Sequence, residues 1–420
     1  MKKNTKVLVA ATTPDYVEII LNNCHGKALF VTDAALRSVA LEPRPRADEE
    51  LLCELSDVEA VIAALIRHQT VYQQQLTGVT AFDCESLPLA ATIAERFSLP
   101  FASPQAVENC RDKLRCKQLW RQAGLLTPQS APVLKLSAAV EFCCSQTGGC
   151  VVKPRFGTGS AWTYYCADAE IAAQKWTLVN DRLQQRNVGR LAAEIEAGII
   201  AEEYIDAEEY SADIAISRGA IRIIRLTRKL KIADALFGTT TAYELLNKLP
   251  EGISERQLNA TIFSGLEALG VDNALCMVDL FIKNGRIILL ETAPRLGGDC
   301  LPYIIRHATG QDVLAKALDF ATDQSTAFED WTVAKPHVGV RLLADKSGIF
   351  QSVDVSKLQH DESICEIELY RKPGHKIILP PADYDSRVLG HIIAKTSGGS
   401  AVRQQVDSIL NRVQIKISNG

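Results

Sequence analysis

Asp279 and Glu291 each interrupt a run of apolar residues. The first stands in Cys276-Met277-Val278-Asp279-Leu280-Phe281-Ile282, the second at the end of Ile287-Ile288-Leu289-Leu290-Glu291. An ionised carboxylate in an apolar strand is costly unless its charge is compensated, and a divalent cation compensates two that converge. The intervening turn decides whether they converge. A two-residue Asn284-Gly285 turn pairs Lys283 with Arg286, and in a regular hairpin the two acids then point to opposite faces. A three-residue loop, Lys283 to Gly285 with Gly285 left-handed, pairs Ile282 with Arg286. Glu291 then becomes the diagonal neighbour of Asp279 on one face, at roughly 7–8 Å. A metal site predicts the three-residue loop; the alternative is an exposed sheet face with two solvated acids.

Three further segments carry residues suited to chemistry. Val151-Val152-Lys153-Pro154 runs into Phe156-Gly157-Thr158-Gly159-Ser160. Small residues let backbone N–H groups approach phosphate oxygens, and a lysine at a strand end supplies charge. The Walker pattern is absent, and a hairpin with a surface lysine is the alternative. Ala201-Glu202-Glu203-Tyr204-Ile205 is a short strand followed by Glu209. A strand backbone and a carboxylate read an adenine edge, and Glu209 lies where a ribose would be held; a solvated acidic loop is the alternative. Pro294-Arg295-Leu296-Gly297-Gly298 follows Glu291. Its arginine suits a carboxylate or phosphoryl oxygen, and Gly297 and Gly298 offer N–H groups to a developing oxyanion. The alternative is a structural turn with Arg295 paired to Asp299.

The elements that must position these residues follow an α/β pattern. Strands at Lys6–Ala11, Lys27–Val31 and Gly78–Phe82 alternate with helices at Pro14–Asn22, Asp57–His68 and Leu87–Phe97, which implies a parallel sheet. A helix is expected over Asp112–Ala123, ended by Gly124 and Pro128. Strands follow at Cys150–Lys153, Trp162–Cys166, Ile199–Ile205, Tyr210–Ile216 and Ala220–Thr227. A helix over Ser254–Leu269 precedes the acidic hairpin, and another spans Asp312–Ala321. Residues 322–336 read as a linker to a mixed tail with a helix near 400–411.

Composition bounds the class. The chain has 420 residues, 47% hydrophobic and 23% charged, with a net charge of −4, so it builds several sizeable cores. That charge gives no reason for a nucleic-acid or membrane partner. The N-terminus lacks the apolar region of a secretory signal. Twelve cysteines occur with no C-x-x-C pair. They read as free thiols in a reducing cytoplasm rather than a zinc site.

The order of the motifs carries more than any one of them. Asp112-Lys113, Lys153-Pro154 with Gly157-Thr158-Gly159-Ser160, Glu202 to Ile205, Glu209-x-Ser211-x-Asp213, then Asp279 and Glu291 with Arg295: this series resembles the ATP-grasp superfamily, most of all its carboxylate–amine ligases of the L-amino acid ligase kind. The resemblance implies an N-terminal parallel, Rossmann-like domain over 1–105. It implies an ATP-grasp core with a small subdomain over 106–201 and a large one over 202–325, and a C-terminal α+β domain over 326–420. By the same resemblance Lys113 and Lys153 contact ATP phosphates, covered by Gly157, Gly159 and Ser160. Glu202, Glu203, Tyr204 and Ile205 read adenine, and Glu209 the ribose. Asp279 and Glu291 hold Mg²⁺ or Mn²⁺. Arg295, Gly297 and Gly298 hold the acyl phosphate or a substrate carboxylate. The partners implied are a small carboxylate and a small amine, with a homodimer common among similar enzymes.

One departure stands out. Many members place an asparagine ligand two residues after the glutamate; here Ala293 occupies that position, as in the amino acid ligase branch. The expected activity is ATP-dependent amide formation through an acyl phosphate. The alternatives are a carboxylating or carbamoyl-phosphate-type ligase, or a nucleotide-binding module without catalysis. The phosphate loop lacks the longer glycine run of biotin carboxylase.

Overall fold

The computed structural model describes residues 4–419 apart from 13, 41, 186–197, 233–235, 324–325, 381–382 and 400. Four strands open the chain: β1 (Asn4–Ala10), β2 (Ala28–Asp33), β3 (Glu50–Cys53) and β4 (Gln74–Thr80). They pair in the order β3-β2-β1-β4, all parallel. β1 and β2 are almost wholly buried, as expected of parallel strands covered on both faces. Helices α1 (Pro14–Asn23), α2 (Ala34–Val39), α3 (Val58–Tyr72) and α4 (Leu87–Phe97) provide connections and cover. The short α2 and β3 are additions to the sequence reading. They are joined by the buried Arg37–Glu50 ion pair at 2.6 Å.

α5 (Pro104–Arg111) and α6 (Lys113–Gln122) lead out of this layer. Asp112 separates them and caps α6, accepting from the N–H groups of Leu114 and Arg115, which satisfies donors the first turn leaves open. A second sheet, order β5-β8-β6-β7, contains β5 (Ser130–Pro132), β6 (Cys150–Pro154), β7 (Tyr164–Cys166) and β8 (Ile199–Glu203). It packs against α7 (Leu136–Cys144) and α8 (Ala169–Gln185) around its own apolar cluster.

The third sheet has eight strands, in the order β13-β12-β9-β10-β11-β14-β18-β16. The first five are β9 (Glu208–Ser217), β10 (Ala220–Leu230), β11 (Ala242–Leu245), β12 (Ala274–Lys283) and β13 (Arg286–Ala293). β14 (His337–Leu343), β16 (Ile364–Leu369) and β18 (Val388–Lys395) extend it. One sheet thus runs without a break from the acidic hairpin into the C-terminal segment. α9 (Glu255–Ala268), α10 (Leu301–Thr309) and α12 (Ala401–Asn411) pack around it, whereas α11 (Val313–Thr322) packs on β4 and β1 of the first sheet. A small sheet of β15 (Gly348–Asp354), β17 (Lys376–Ile377) and β19 (Gln414–Ser418) completes the tail. Ser254 and Asp312, expected as first helical residues, are N-caps of α9 and α11.

The β12–β13 hairpin departs from expectation. Lys283 pairs with Arg286, so the turn has two residues, Asn284 and Gly285, at φ 51° and 68°. These left-handed angles match the strand twist that favours such turns. The three-residue loop is therefore overturned. The acids nevertheless converge, because the register shifts: Leu280 pairs with Leu289, but Asp279 pairs with Glu291. Leu290 is the extra residue of a β-bulge, and it brings Glu291 round to the face of Asp279.

Among the described residues no helix is long and apolar enough to cross a membrane. All twelve cysteines are free thiols.

Candidate active site

The N-terminal layer, the β5-β8-β6-β7 sheet and the eight-stranded sheet enclose a cleft of about 520 Å³. Its walls include Lys113, Lys153, the Phe156–Ala161 loop, Glu202 to Ile205, Glu209, Asp279, Glu291, Arg295 and Gly298. Of the residues singled out in the sequence, Gly297 does not line it. Its N–H donates to Asp213 Oδ1 at 2.8 Å and is thereby committed away from any oxyanion. A Cβ there would lie 2.4 Å from Arg225 Nη2, so the glycine serves packing.

The glycine loop is fixed from several sides. Lys113 Nζ donates to the Gly157 carbonyl at 2.5 Å, and Thr158 Oγ1 donates to Glu85 Oε1 at 2.8 Å. Gly157, Gly159 and Ser160 all have positive φ. Just upstream, Arg155 grips Asp112 through Nε and Nη2, at 2.7 and 2.5 Å. The acid that caps α6 therefore also anchors the end of β6, so Lys113 and the loop are positioned together.

Glu202 is buried between two lysines, with Lys117 Nζ on Oε1 and Lys153 Nζ on Oε2, each at 2.8 Å. Burial would raise its carboxyl pKa, but the two ammonium groups outweigh that and hold it below the ordinary value. Lys153 is raised despite burial by Glu202 and Glu291. Lys113 is lowered, because its burial exceeds the help it receives from Glu291. Glu203 bridges to Gln129, accepting from its N–H at 3.2 Å and donating its own N–H to the Gln129 carbonyl at 2.8 Å. Tyr204 packs on Tyr165 with ring centres 4.4 Å apart, and Phe237 lies 6.2 Å from Tyr204. Tyr204 and Phe237 give this end of the cleft an apolar wall.

Glu209 receives Lys229 at 2.8 Å and Lys231 at 2.9 Å. Burial alone would raise its pKa, but the two lysines bring it down to about 2. Lys229 continues the chain of charges to Asp279 Oδ2 at 2.6 Å. The other oxygen of Asp279 is buried without a hydrogen-bond partner. Asp279 is raised by burial, with Glu291 and Glu209 adding to it against the pull of Lys229. Glu291 is lowered: four lysines, Lys113, Lys153, Lys229 and Lys117, outweigh its burial.

Hard oxygen donors with an unsatisfied buried lone pair fit a divalent cation such as Mg²⁺ or Mn²⁺. Among the described residues no cluster of three or more His, Cys, Asp or Glu is arranged for a metal. Two carboxylates suffice where substrate phosphates complete the shell, as is usual for Mg²⁺. Ala293 is buried and contributes no donor.

Arg295 donates Nε to Cys84 Sγ at 3.0 Å and Nη1 to the Leu296 carbonyl at 2.7 Å. The expected pairing with Asp299 is absent, since Asp299 pairs with Arg341. Arg225 is fully buried. It binds both oxygens of Asp213 at 2.7 and 3.0 Å and also Ser211 and Thr227. His307 sits away from the cleft on Glu366, at 2.5 Å. Sequence reasoning missed Lys117, Lys229's double link, Cys84, Phe237 and Arg341. Of these only Lys117 carried a signal, standing one helical turn after Lys113.

An ATP-grasp domain family matches residues 147–303. An uncharacterised protein of Sinorhizobium fredii is 22% identical over 345 residues, covering 80% of this chain and 68% of the other. The alanine–anticapsin ligase of Bacillus subtilis is 26% identical over 243 residues, covering 54% of this chain and 50% of that enzyme. The chain therefore spans about half the length of that ligase. The crystal structure of L-amino acid ligase from Bacillus licheniformis superposes with a TM-score of 0.78 at 19% identity, over 100% of both chains. That likeness is one of fold and takes in the N-terminal layer and the tail as well as the matched domain. Residues 147–303 match an ATP-grasp domain, set within a chain whose whole fold is like that of the L-amino acid ligase.

Proposed function

We propose that the protein is an ATP-dependent carboxylate–amine ligase and that the cleft is its active site. The observation that carries this reading is the gathering of Lys113, Lys153, the Glu202–Ile205 strand, Glu209, the Asp279–Glu291 pair and Arg295 around one cavity. The curated relatives whose names state an activity are alanine–anticapsin and D-alanine–D-alanine ligases, which favours amide formation over carboxylation.

ATP lies with its base against the Tyr204–Phe237 wall and the β8 backbone, and its phosphates under the Phe156–Ser160 loop. Lys113 and Lys153 neutralise phosphate charge. Asp279 and Glu291 hold Mg²⁺, which when bound screens the phosphates and orients them. Arg295 holds the carboxylate to be activated. A carboxylate oxygen attacks the γ-phosphorus and ADP leaves. The amine then attacks the acyl carbon, loses a proton and expels inorganic phosphate. Acyl phosphates hydrolyse readily, so water must be kept out. The glycine loop, tied to Lys113 and to Glu85, closes over the phosphates.

The test is a phosphate-release screen over pairs of amino acids and simple carboxylates. The expected result is ADP and phosphate formation only when a carboxylate and an amine are both present. Turnover that ignores every amine, or that depends on bicarbonate, overturns the reading.

A further inference from the structure

Lys117 is the most deeply buried charge beside the cleft. Its side chain is 0% exposed and is not among the cleft walls. α6 carries it four residues after Lys113, on the same helix face and one turn deeper. A buried ammonium is retained only where fixed acceptors replace its water. Lys117 has a hydrogen-bond acceptor in the backbone carbonyl of Leu290 at 2.9 Å and an opposite charge in Glu202, whose Oε1 lies 2.8 Å away.

The Leu290 carbonyl gives the lysine its meaning. Leu290 is the bulged residue, and its peptide is where the β13 register steps to place Glu291 opposite Asp279. A bulge leaves ladder groups unpaired, and here the freed carbonyl is taken by a charged donor. The opposite charge belongs to β8, whose Glu202 also holds Lys153. One ammonium thus fastens the strand assigned to the base and the strand end that carries a metal carboxylate. Two lysines on a single carboxylate leave positive charge in excess, and Glu291 is the acid that answers it.

We propose that Lys117 is a positioning residue: it holds the Leu290 bulge, and through it sets Glu291 against Asp279 for the cation while fixing Glu202 for the nucleotide. This rests on the reading of the cleft as a Mg²⁺–nucleotide site. The charge is specific to the task, because an apolar residue of equal length would fill the space yet leave the Leu290 carbonyl unanswered and Glu202 with Lys153 alone.

The experiment is calorimetric titration of wild type, Lys117→Met and Lys117→Gln with a non-hydrolysable ATP analogue over a range of Mg²⁺ concentrations. Circular dichroism checks the fold at the working temperature. In folded Lys117→Met the Mg²⁺ concentration for half-maximal analogue binding should rise about tenfold or more, the range found when supports of metal ligands are removed. Lys117→Gln keeps an N–H donor and should rise less. If Lys117→Met does not fold, Lys117→Gln is read against wild type and still requires a clear rise. A folded variant whose Mg²⁺ dependence stays within about twofold of wild type overturns the positioning role and leaves the functional reading standing. Wild type that binds the analogue without any Mg²⁺ dependence overturns both.

Discussion

Asp279 and Glu291 stand directly opposite each other across an antiparallel pair, although the turn that joins their strands should have sent them to opposite faces. The two-residue Asn284-Gly285 turn sets one parity and the Leu290 bulge reverses it. Directly opposite residues have Cβ atoms about 4.5–5.5 Å apart, closer than a diagonal pair. Two carboxylates held that close repel each other, and the site answers with lysines on every side. Lys229 touches Asp279 at 2.6 Å, and Lys113 and Lys153 bear on Glu291. A site rich in lysine around two acids suits a ligand that brings both a cation and several negative oxygens.

Removing one of the pair should separate chemistry from binding. Glu291→Gln keeps shape and loses charge, so Lys113, Lys153 and Lys229 lose an opposing acid while Glu202 and Glu209 keep their lysines. Ligase turnover should fall by about 10²-fold or more, with binding of the ATP analogue at saturating Mg²⁺ kept within about tenfold. Assaying phosphate release beside calorimetric binding checks this. Turnover at the wild-type rate would remove Glu291 from the site.

Much of this was legible in the sequence because it is local. Acids in apolar strands, a lysine at a strand end and a glycine run after it are visible within a few residues. So are the helix starts near Asp112, Ser254 and Asp312, although each of these residues turns out to be the N-cap rather than the first helical residue. The bulge was not legible. No residue type marks Leu290, and the step in register is fixed by contacts from α6, far away in sequence. Lys117 was hidden for a related reason: in Lys113-Leu114-Arg115-Cys116-Lys117 a second lysine reads as a solvated face until β8 and β13 close over it. Gly297 looked like an oxyanion donor because its commitment to Asp213 spans 84 residues.

Glu209 makes part of the stability depend on pH. Lys229 and Lys231 hold its carboxyl at about 2 in the folded protein, below the roughly 4.3 of an unfolded glutamate. A depressed folded value means that the unfolded state takes up the proton first. The contribution is complete above about pH 4.3 and is lost as pH falls toward 2. At neutral pH it is on the order of 3 kcal/mol. Urea unfolding of wild type and Glu209→Gln should show a clear gap in midpoint at pH 6 that narrows by pH 3.5. A gap independent of pH would mean that the lysines do not act on Glu209 in this way.

Arg225 and Asp213 should behave as one unit. Both are 1% exposed, and Arg225 binds both oxygens of Asp213. Breaking a buried pair by removing one partner leaves an uncompensated charge, at a cost of roughly 3–5 kcal/mol. Arg225→Met should therefore lower thermal stability sharply. Asp213→Asn in the same chain should restore part of it, since the orphaned charge goes and an acceptor for the Gly297 N–H remains. A double-mutant cycle by thermal unfolding measures the coupling. Additive effects would show that the pair is not coupled.

In the proposed function Arg295 meets the substrate carboxylate, and its neighbour Cys84 then governs how much of its charge is left for that role. Burial pushes the Cys84 thiol up despite the nearby guanidinium, so it stays neutral and supports Arg295 Nε at 3.0 Å without cancelling its charge. A carboxylate in that place would hold the guanidinium more tightly and satisfy it. Cys84→Asp should therefore raise the KM for the carboxylate substrate by about tenfold or more, roughly 1.4 kcal/mol of lost binding, with a smaller change in the KM for ATP. Cys84→Ser retains a neutral acceptor of similar reach and should stay near wild type in both constants. The contrast between serine and aspartate isolates charge from packing, because each replaces the same sulfur. Steady-state kinetics on the two variants decides it. A normal carboxylate KM in folded Cys84→Asp would show that Arg295 does not draw its substrate through an unopposed charge.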